Sequence, residues 1–347
     1  MCNELLVLVC AWVRNELLAH SVNLYLHITL TITTCQPYNT IYMCMKILIT
    51  GAAGFFGRNL VYKLSEEHSL ECIDLPLELF DNAERERFYN DYNVCGADIS
   101  EDLWQVKQRM MDCEIVIHLA NKTRISPSWN EYEEYYRQNI GTSQKIFSLS
   151  QTLGVKKFIY FSSSSVYGDN GWVPNRETDP LAPTSPYAIS KMAAEAALTA
   201  QSSRGKTELV IVRPFTMYGP FMETGKYALV ISKFIEAAQA GDPLLLDATG
   251  SQTRDFVHVS DAIEALKLII EHGKDRDVYN VGSGTSVTIR ELADIVSTKQ
   301  VETPARLGHI PSTLADITKL TKLGWSPSIN VKSWLTNIVK DLNINSI

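Results

Sequence analysis

Tyr187 and Lys191 stand four apart in "TSPYAISKMAAEAALTAQ". On a helix that spacing puts both side chains on one face, one turn from each other. An ammonium beside a phenol favours the phenolate and draws its pKa down from about 10, so Tyr187 reads as a general base. Ser185 fits the N-cap and Pro186 the first helical position. Upstream, "FIYFSSSSVYGDN" (158–170) runs from an apolar strand into four hydroxyls, Ser162 to Ser165, with no acid or amide among them. Two readings stand for that row at this point: one serine is a catalytic hydroxyl, or all four are a polar strand end.

A third constellation would hold a cofactor. "ITGAAGFFGRNLVYKL" sets Gly51, Gly54 and Gly57 between a strand ending at Thr50 and an amphipathic helix. The first glycine permits a tight turn, the second lets backbone approach a pyrophosphate, and the third lets helix and strand pack closely. Phosphate would rest on the free N–H groups of the helix start. Asp74 follows Gly51 by 23 residues and ends the second strand, where a carboxylate can take a ribose 2′-OH. It would repel a 2′-phosphate, and no Arg follows within a few residues, so the expectation is NAD rather than NADP. Asp98 either faces the adenine ring or caps the helix that follows it.

These residues need elements to carry them. Apolar runs at 46–50, 70–74, 93–98, 114–120, 157–163 and 208–213 alternate with longer periodic segments. Continuous rather than alternating apolar runs indicate strands covered on both faces, the pattern of a doubly wound parallel sheet. The fold class expected is α/β, a Rossmann sheet over 45–213 with a smaller α/β substrate lobe over 214–347. That lobe is expected to include a helix near 226–240, "DPLLLD", "DVYNVGSG" and a helix near 331–343.

Composition excludes some partners. The chain has 347 residues, 45% hydrophobic, with net charge −7 and no basic run, so no nucleic-acid partner is expected. Of seven cysteines, Cys2, Cys10, Cys35 and Cys44 precede Met45, and no pair has metal-ligand spacing. A reducing, cytoplasmic compartment is expected, with Cys72, Cys95 and Cys113 as structural thiols. His118, without a second ligand nearby, reads as a strand-end structural residue, and no metal is expected. Residues 1–44 lack a basic n-region, and their apolar stretch is broken by His20, Asn23 and His27. They read as an extension, neither signal nor membrane anchor, with the functional domain starting at Met45.

Taken in order, "TGAAGFFG", Asp74, "HLAN", "SSSSVYG", "YAISK" and "RDFVHVSD" resemble the extended short-chain dehydrogenase/reductases, in particular the NAD-dependent epimerase/dehydratase group acting on nucleotide sugars. The resemblance spans residues 45–343. It implies a catalytic trio of Ser163, Tyr187 and Lys191. It implies an NAD site formed by Gly51, Gly54, Phe55, Phe56, Gly57, Asp74, Asp98, Ile99, Leu119, Ala120, Asn139, Ser162, Tyr187, Lys191 and Pro214. For a nucleotide-diphosphate sugar, UDP-sugar first, it implies Lys122, Ser163, Ser164, Thr216 and Arg254, the last at the diphosphate. Lys122 and Arg124 approach phosphate or sugar, or are exposed loop cations; Arg254 meets the diphosphate, or pairs with Asp255. Helices near 131–153 and 186–203 resemble the family's dimerising pair, which implies a homodimer.

The 4,6-dehydratases of this group carry Asp-Glu directly after the catalytic hydroxyl, to expel one hydroxyl and remove a neighbouring proton. Here Ser164 and Ser165 stand in those places. The expected reaction is therefore 4-epimerisation. A ketoreductase, dehydrogenase or dehydratase of the same family is the alternative, and an NAD-sensing regulatory protein is the non-enzymatic one.

Overall fold

The computed structural model describes residues 44–79, 83–169, 171, 173–225, 228–305, 307–308 and 310–344. The expected N-terminal extension lies outside the described residues, Cys44 excepted. The strands are β1 (Lys46–Thr50), β2 (Ser69–Asp74), β3 (Cys95–Gly96), β4 (Ile115–His118), β5 (Lys157–Phe161), β6 (Glu208–Pro214), β7 (Thr216–Tyr218), β8 (Leu244–Asp247), β9 (Thr253–His258), β10 (Asp277–Val281), β11 (Ser286–Thr288) and β12 (Gln300–Thr303).

Among the described residues, seven strands form one sheet in the order β10-β6-β5-β4-β1-β2-β3, every neighbouring pair parallel. Successive residues of a strand point to opposite faces, and here both faces are buried. Ile47, Ile49, Ile115, Ile117, Ile159 and Phe161 pack on one side, with residues of the helices Phe55–Leu64 and Val259–His272. Leu48, Val116, Phe158 and Tyr160 pack on the other, with Val106, Phe147 and Leu198 from three further helices. This is why the sheet strands read as continuous apolar runs.

The seventh strand departs from expectation. "DVYNV", assigned from sequence to the smaller lobe, is β10, and it pairs with β6 from Asp277 against Val210 to Val281 against Pro214. The helix Val259–His272 returns with it to cover the sheet. Chain position misled here because the smaller lobe is inserted before the sheet is complete. What remains of that lobe is the helices Val230–Ala240, Ile289–Val296 and Val331–Asp341 around β8 and β12, with a core that includes Phe234, Leu292 and Leu335.

Buried ionic and polar links fasten these parts. Glu195 on the helix Pro186–Ser202 receives Arg213 of β6 through both oxygens, at 3.0 and 2.6 Å. Arg213 also donates to Tyr167 Oη at 2.9 Å, and Tyr167 donates to Asn280 of β10 at 2.7 Å. Asp255, fully buried, accepts from the N–H groups of Ser283, Gly284 and Ala315.

Candidate active site

A cavity of about 1540 Å³ opens at the carboxyl ends of β1, β2, β4, β5 and β6, where doubly wound sheets bind their ligands. Ser163, Tyr187 and Lys191 line it together. Ser185 caps their helix by accepting from Ala188 N–H at 3.2 Å, and Pro186 takes the first position, as the sequence requires. Tyr187 is 9% exposed and Lys191 2%. The row of serines divides by role. Ser162 continues past β5 by donating its N–H to Val212 O at 2.8 Å. Ser163 then caps a short 3-10 turn, Ser164–Tyr167, by accepting from Ser165 N–H at 3.1 Å, and this turns Ser164 and Ser165 onto the cavity wall.

The electrostatics differ from expectation in one respect. Burial pushes the Tyr187 phenol up, and the influences that oppose it are the Ser163 hydroxyl and the charge of Arg124. Lys191, expected to supply that influence, instead donates to the Phe161 carbonyl at 2.6 Å and lies 4.9 Å from the Tyr160 ring centroid. Burial pulls its ammonium down to about 7, against the raising influence of Glu195.

The glycine loop makes a cradle for phosphate. Gly51 has φ +73°, and a Cβ there would lie 2.7 Å from Ala120 N. A Cβ on Gly57 would lie 2.2 Å from Gly51 O, so that position is closed to any side chain. The helix Phe55–Leu64 starts without a side-chain cap, leaving its first N–H groups available. Asp74 fixes the loop by accepting from Ala53 and Leu75 N–H groups, both at 2.7 Å. Burial raises its carboxyl, and those N–H groups and Arg85 oppose the rise. The nearby cation that the sequence did not reveal is thus Arg85, brought back by the helix Ala83–Asp91.

Phe55, Phe56, Asp98, Ile99, Leu119, Ala120, Ser162 and Pro214 line the same cavity. Asp98 both lines it and caps the following turn, accepting from Ser100 N–H at 2.9 Å. Asn139 does not line it. It is fully buried in a π-helical stretch, Arg137–Thr142, and clamps the Lys122 backbone at 2.7 and 2.9 Å while donating to Ser190 at 2.9 Å. Its place is behind the wall. His118 is buried between Thr50, 2.8 Å from Nδ1, and Ser143, 3.0 Å from Nε2.

At the far end, Thr216 and Arg254 line the cavity with Gln252, Asp247 and Ile310. Arg254 is not paired with Asp255, whose oxygens serve the backbone groups named above. Burial brings its guanidinium down to about 10, opposed by Asp247, and it donates to Thr253 O at 2.7 Å. Lys122 lines the cavity, yet its ammonium is held by Glu131 at 2.8 Å. Arg124 lines it beside Tyr187, with its backbone at φ 89° and its carbonyl accepting from Tyr135 Oη at 3.0 Å. Sequence reasoning missed Gln252 and Glu223, which carry no local motif.

A family model for the NAD dependent epimerase/dehydratase family matches residues 47–282. The chain belongs to this family. Among solved structures it is similar to a UDP-N-acetylglucosamine 4-epimerase from Methanobrevibacter ruminantium M1 in complex with UDP-N-acetylmuramic acid, at 30% identity and TM-score 0.76, covering 88% of this chain and 99% of that one. It is similar to MoeE5 in complex with UDP-glucuronic acid and NAD, at 29% identity and TM-score 0.74, covering 87% and 100%. Among curated relatives, a dTDP-D-glucose 4,6-dehydratase from Bos taurus is 29% identical over 259 residues, 72% of this chain and 71% of that one.

The epimerase/dehydratase family uses NAD, and the cavity fits it on its own terms. The glycine cradle and uncapped helix start suit a pyrophosphate, and Asp74 stands at the end of β2. Among the described residues, three buried polar atoms of cavity-lining residues have no hydrogen-bond partner: Ser162 Oγ, Asn121 Nδ2 and Gln252 Oε1. Left unpaired, each would cost free energy, and each faces a cavity from which a ligand or solvent can supply a partner.

Proposed function

We propose that this protein is an NAD-dependent nucleotide-sugar 4-epimerase. The observation that carries the reading is the hydroxyl-only wall beside Tyr187, in which Ser164 and Ser165 follow Ser163. Dehydration would need a second acid and base there. Glu134 also lines the cavity, but Arg137 binds both its oxygens, at 2.9 and 3.0 Å, and holds its carboxyl below the usual range. It is committed as a carboxylate.

In this reading Ser163 orients the C4 hydroxyl and Tyr187 removes its proton. NAD held by the glycine cradle and Asp74 would supply reversible hydride chemistry at C4. The sugar presents its other face before the hydride returns, and Tyr187 gives the proton back, so no net oxidation occurs. Lys191 ties the Tyr187 helix to β5 through the Phe161 carbonyl. Arg254 binds the diphosphate through a planar fork of donors. UDP is the first nucleotide to test, since the solved relatives above hold UDP-sugars.

A panel of UDP-, dTDP-, GDP- and CDP-sugars analysed by NMR tests this. The expected result is a C4 epimer with no net change in NADH absorbance. A 4,6-dehydratase is the second reading, favoured by the bovine relative, and would show loss of the C6 hydroxyl and a new methyl signal. Absence of any conversion across the panel would sink the enzyme reading.

The homodimer belongs to the same proposal. Trp129, Tyr132 and Ile189 are exposed large apolar residues in and beside the helices expected to pair. Light scattering at micromolar concentration decides it: a monomer contradicts the pairing.

A further inference from the structure

We propose that Pro220–Glu223 is a strap that retains the dinucleotide, fastened across the adenosine end of the cavity by Arg58 and Arg85. Arg58 follows Gly57 on the helix that begins at the phosphate cradle, and it is 4% exposed. Its Nη2 donates to Phe221 O at 3.0 Å, and its guanidinium lies 4.8 Å from the Phe221 ring centroid. Asn59, next on the helix, donates to Pro220 O at 2.8 Å. Tyr62, one turn on, stacks on the Phe221 ring at 5.4 Å with 13° between the planes. Arg85, from the helix Ala83–Asp91, pairs with Glu223 at 2.6 Å.

Glu223 lines the cavity, as does Asp74, the ribose-facing acid at the end of β2, and the charge of Arg85 reaches that acid as well. The strap therefore spans from the smaller lobe to the end where the adenosine would lie. Phe221 has φ 64°, a backbone state that a bulky residue keeps only where its surroundings fix it. Burying a guanidinium is unfavourable unless it is paired, and Arg58 is partly compensated: Nη2 donates to the strap carbonyl and Nη1 forms an ion pair with Glu84 at 3.2 Å, while Nε and Nη1 make no hydrogen bond among the described residues. Its neighbours Asn59 and Tyr62 hold the strap from the same helix, so cradle and strap are one body. Such a fastening suits a cofactor that is recycled in place, because losing it in mid-reaction would leave the sugar oxidised. To that extent the inference rests on the function proposed above.

The test uses NAD-loaded full-length protein, as wild type, Glu223→Gln, Arg85→Met and the reversed pair Arg85→Glu with Glu223→Arg. NAD release is followed by dilution into an enzyme that consumes free NAD, with circular dichroism to confirm folding. Loss of one charge-assisted bond is expected to speed release by about ten-fold in each single variant. The reversed pair should recover most of the wild-type rate. Folded single variants that release NAD within about two-fold of wild type overturn the strap alone, as does a rise that the reversed pair leaves unchanged. A wild-type protein that binds no NAD overturns the proposed function and the strap together.

Discussion

The Lys191 ammonium donates to the main-chain carbonyl of Phe161 at 2.6 Å, tying the helix that carries Tyr187 to the strand that leads into Ser162 and Ser163. The spacing between Tyr187 and the serine row is thus set by a third residue. Lys191→Met is expected to stay folded, because the methionine stem fills the same space, but to lower kcat by about 10²-fold or more. NMR detection of the epimer, with circular dichroism on the same sample, measures both.

Tyr187→Phe is expected to remove about 10²- to 10⁴-fold of turnover while NAD stays bound. Ser163→Ala removes the hydroxyl whose influence opposes the rise of that phenol. In the proposed mechanism the two side chains act as a pair, so the double variant should be scarcely slower than Tyr187→Phe alone. Additive losses in kcat would mean that they act separately.

Arg254→Met should raise KM for the nucleotide sugar and leave the NAD content of the purified protein unchanged. A variant that loses NAD instead would place Arg254 on the cofactor.

Glu195 and Arg213 form a pair with side chains only 7% and 6% exposed. Glu195→Ala leaves a buried guanidinium without its carboxylate and should cost about 3–5 kcal/mol, read from urea unfolding. Replacing both, as Glu195→Leu with Arg213→Met, should recover part of that loss. A double variant no better than the single one would show that Tyr167 and Asn280 depend on Arg213 directly.

Burial holds the His118 imidazole down to about 3 from an ordinary 6.5. Between those values the unfolded chain takes up a proton that the folded chain refuses. Stability from this group is therefore complete above pH 6.5 and is lost as pH falls, by about 2 kcal/mol at pH 5. Urea midpoints at pH 7 and pH 5 should differ less in His118→Gln, which keeps polar atoms near Thr50 and Ser143.

What the sequence made legible was what lies close along the chain. Gly51, Gly54 and Gly57 sit in one turn, and Tyr187 and Lys191 in one helical turn, so spacing alone conveys their geometry. The strap was not legible, since Arg58 and Phe221 are 163 residues apart and Arg85 and Glu223 are 138. Asn139 looked like a cofactor contact because a motif gives a residue's place in the chain but not which way a π-helical turn aims it. The source of the influence on Tyr187 was hidden for a related reason: shared helical face did not determine that Lys191 would turn to Phe161.

The placement of β10 also bears on how this molecule can be cut. A fragment ending at Pro214 would contain Gly51, Gly54 and Gly57 and both members of the Tyr-Lys pair, yet it would not be half an enzyme. β6 would become a bare edge with five ladder positions open, and Val210 and Val212 would lose the cover that Ile263 and Leu266 help to form. Exposed edges of that kind invite pairing with other chains. Grafting either lobe onto another scaffold therefore means moving both, with insertions confined to surface turns between elements.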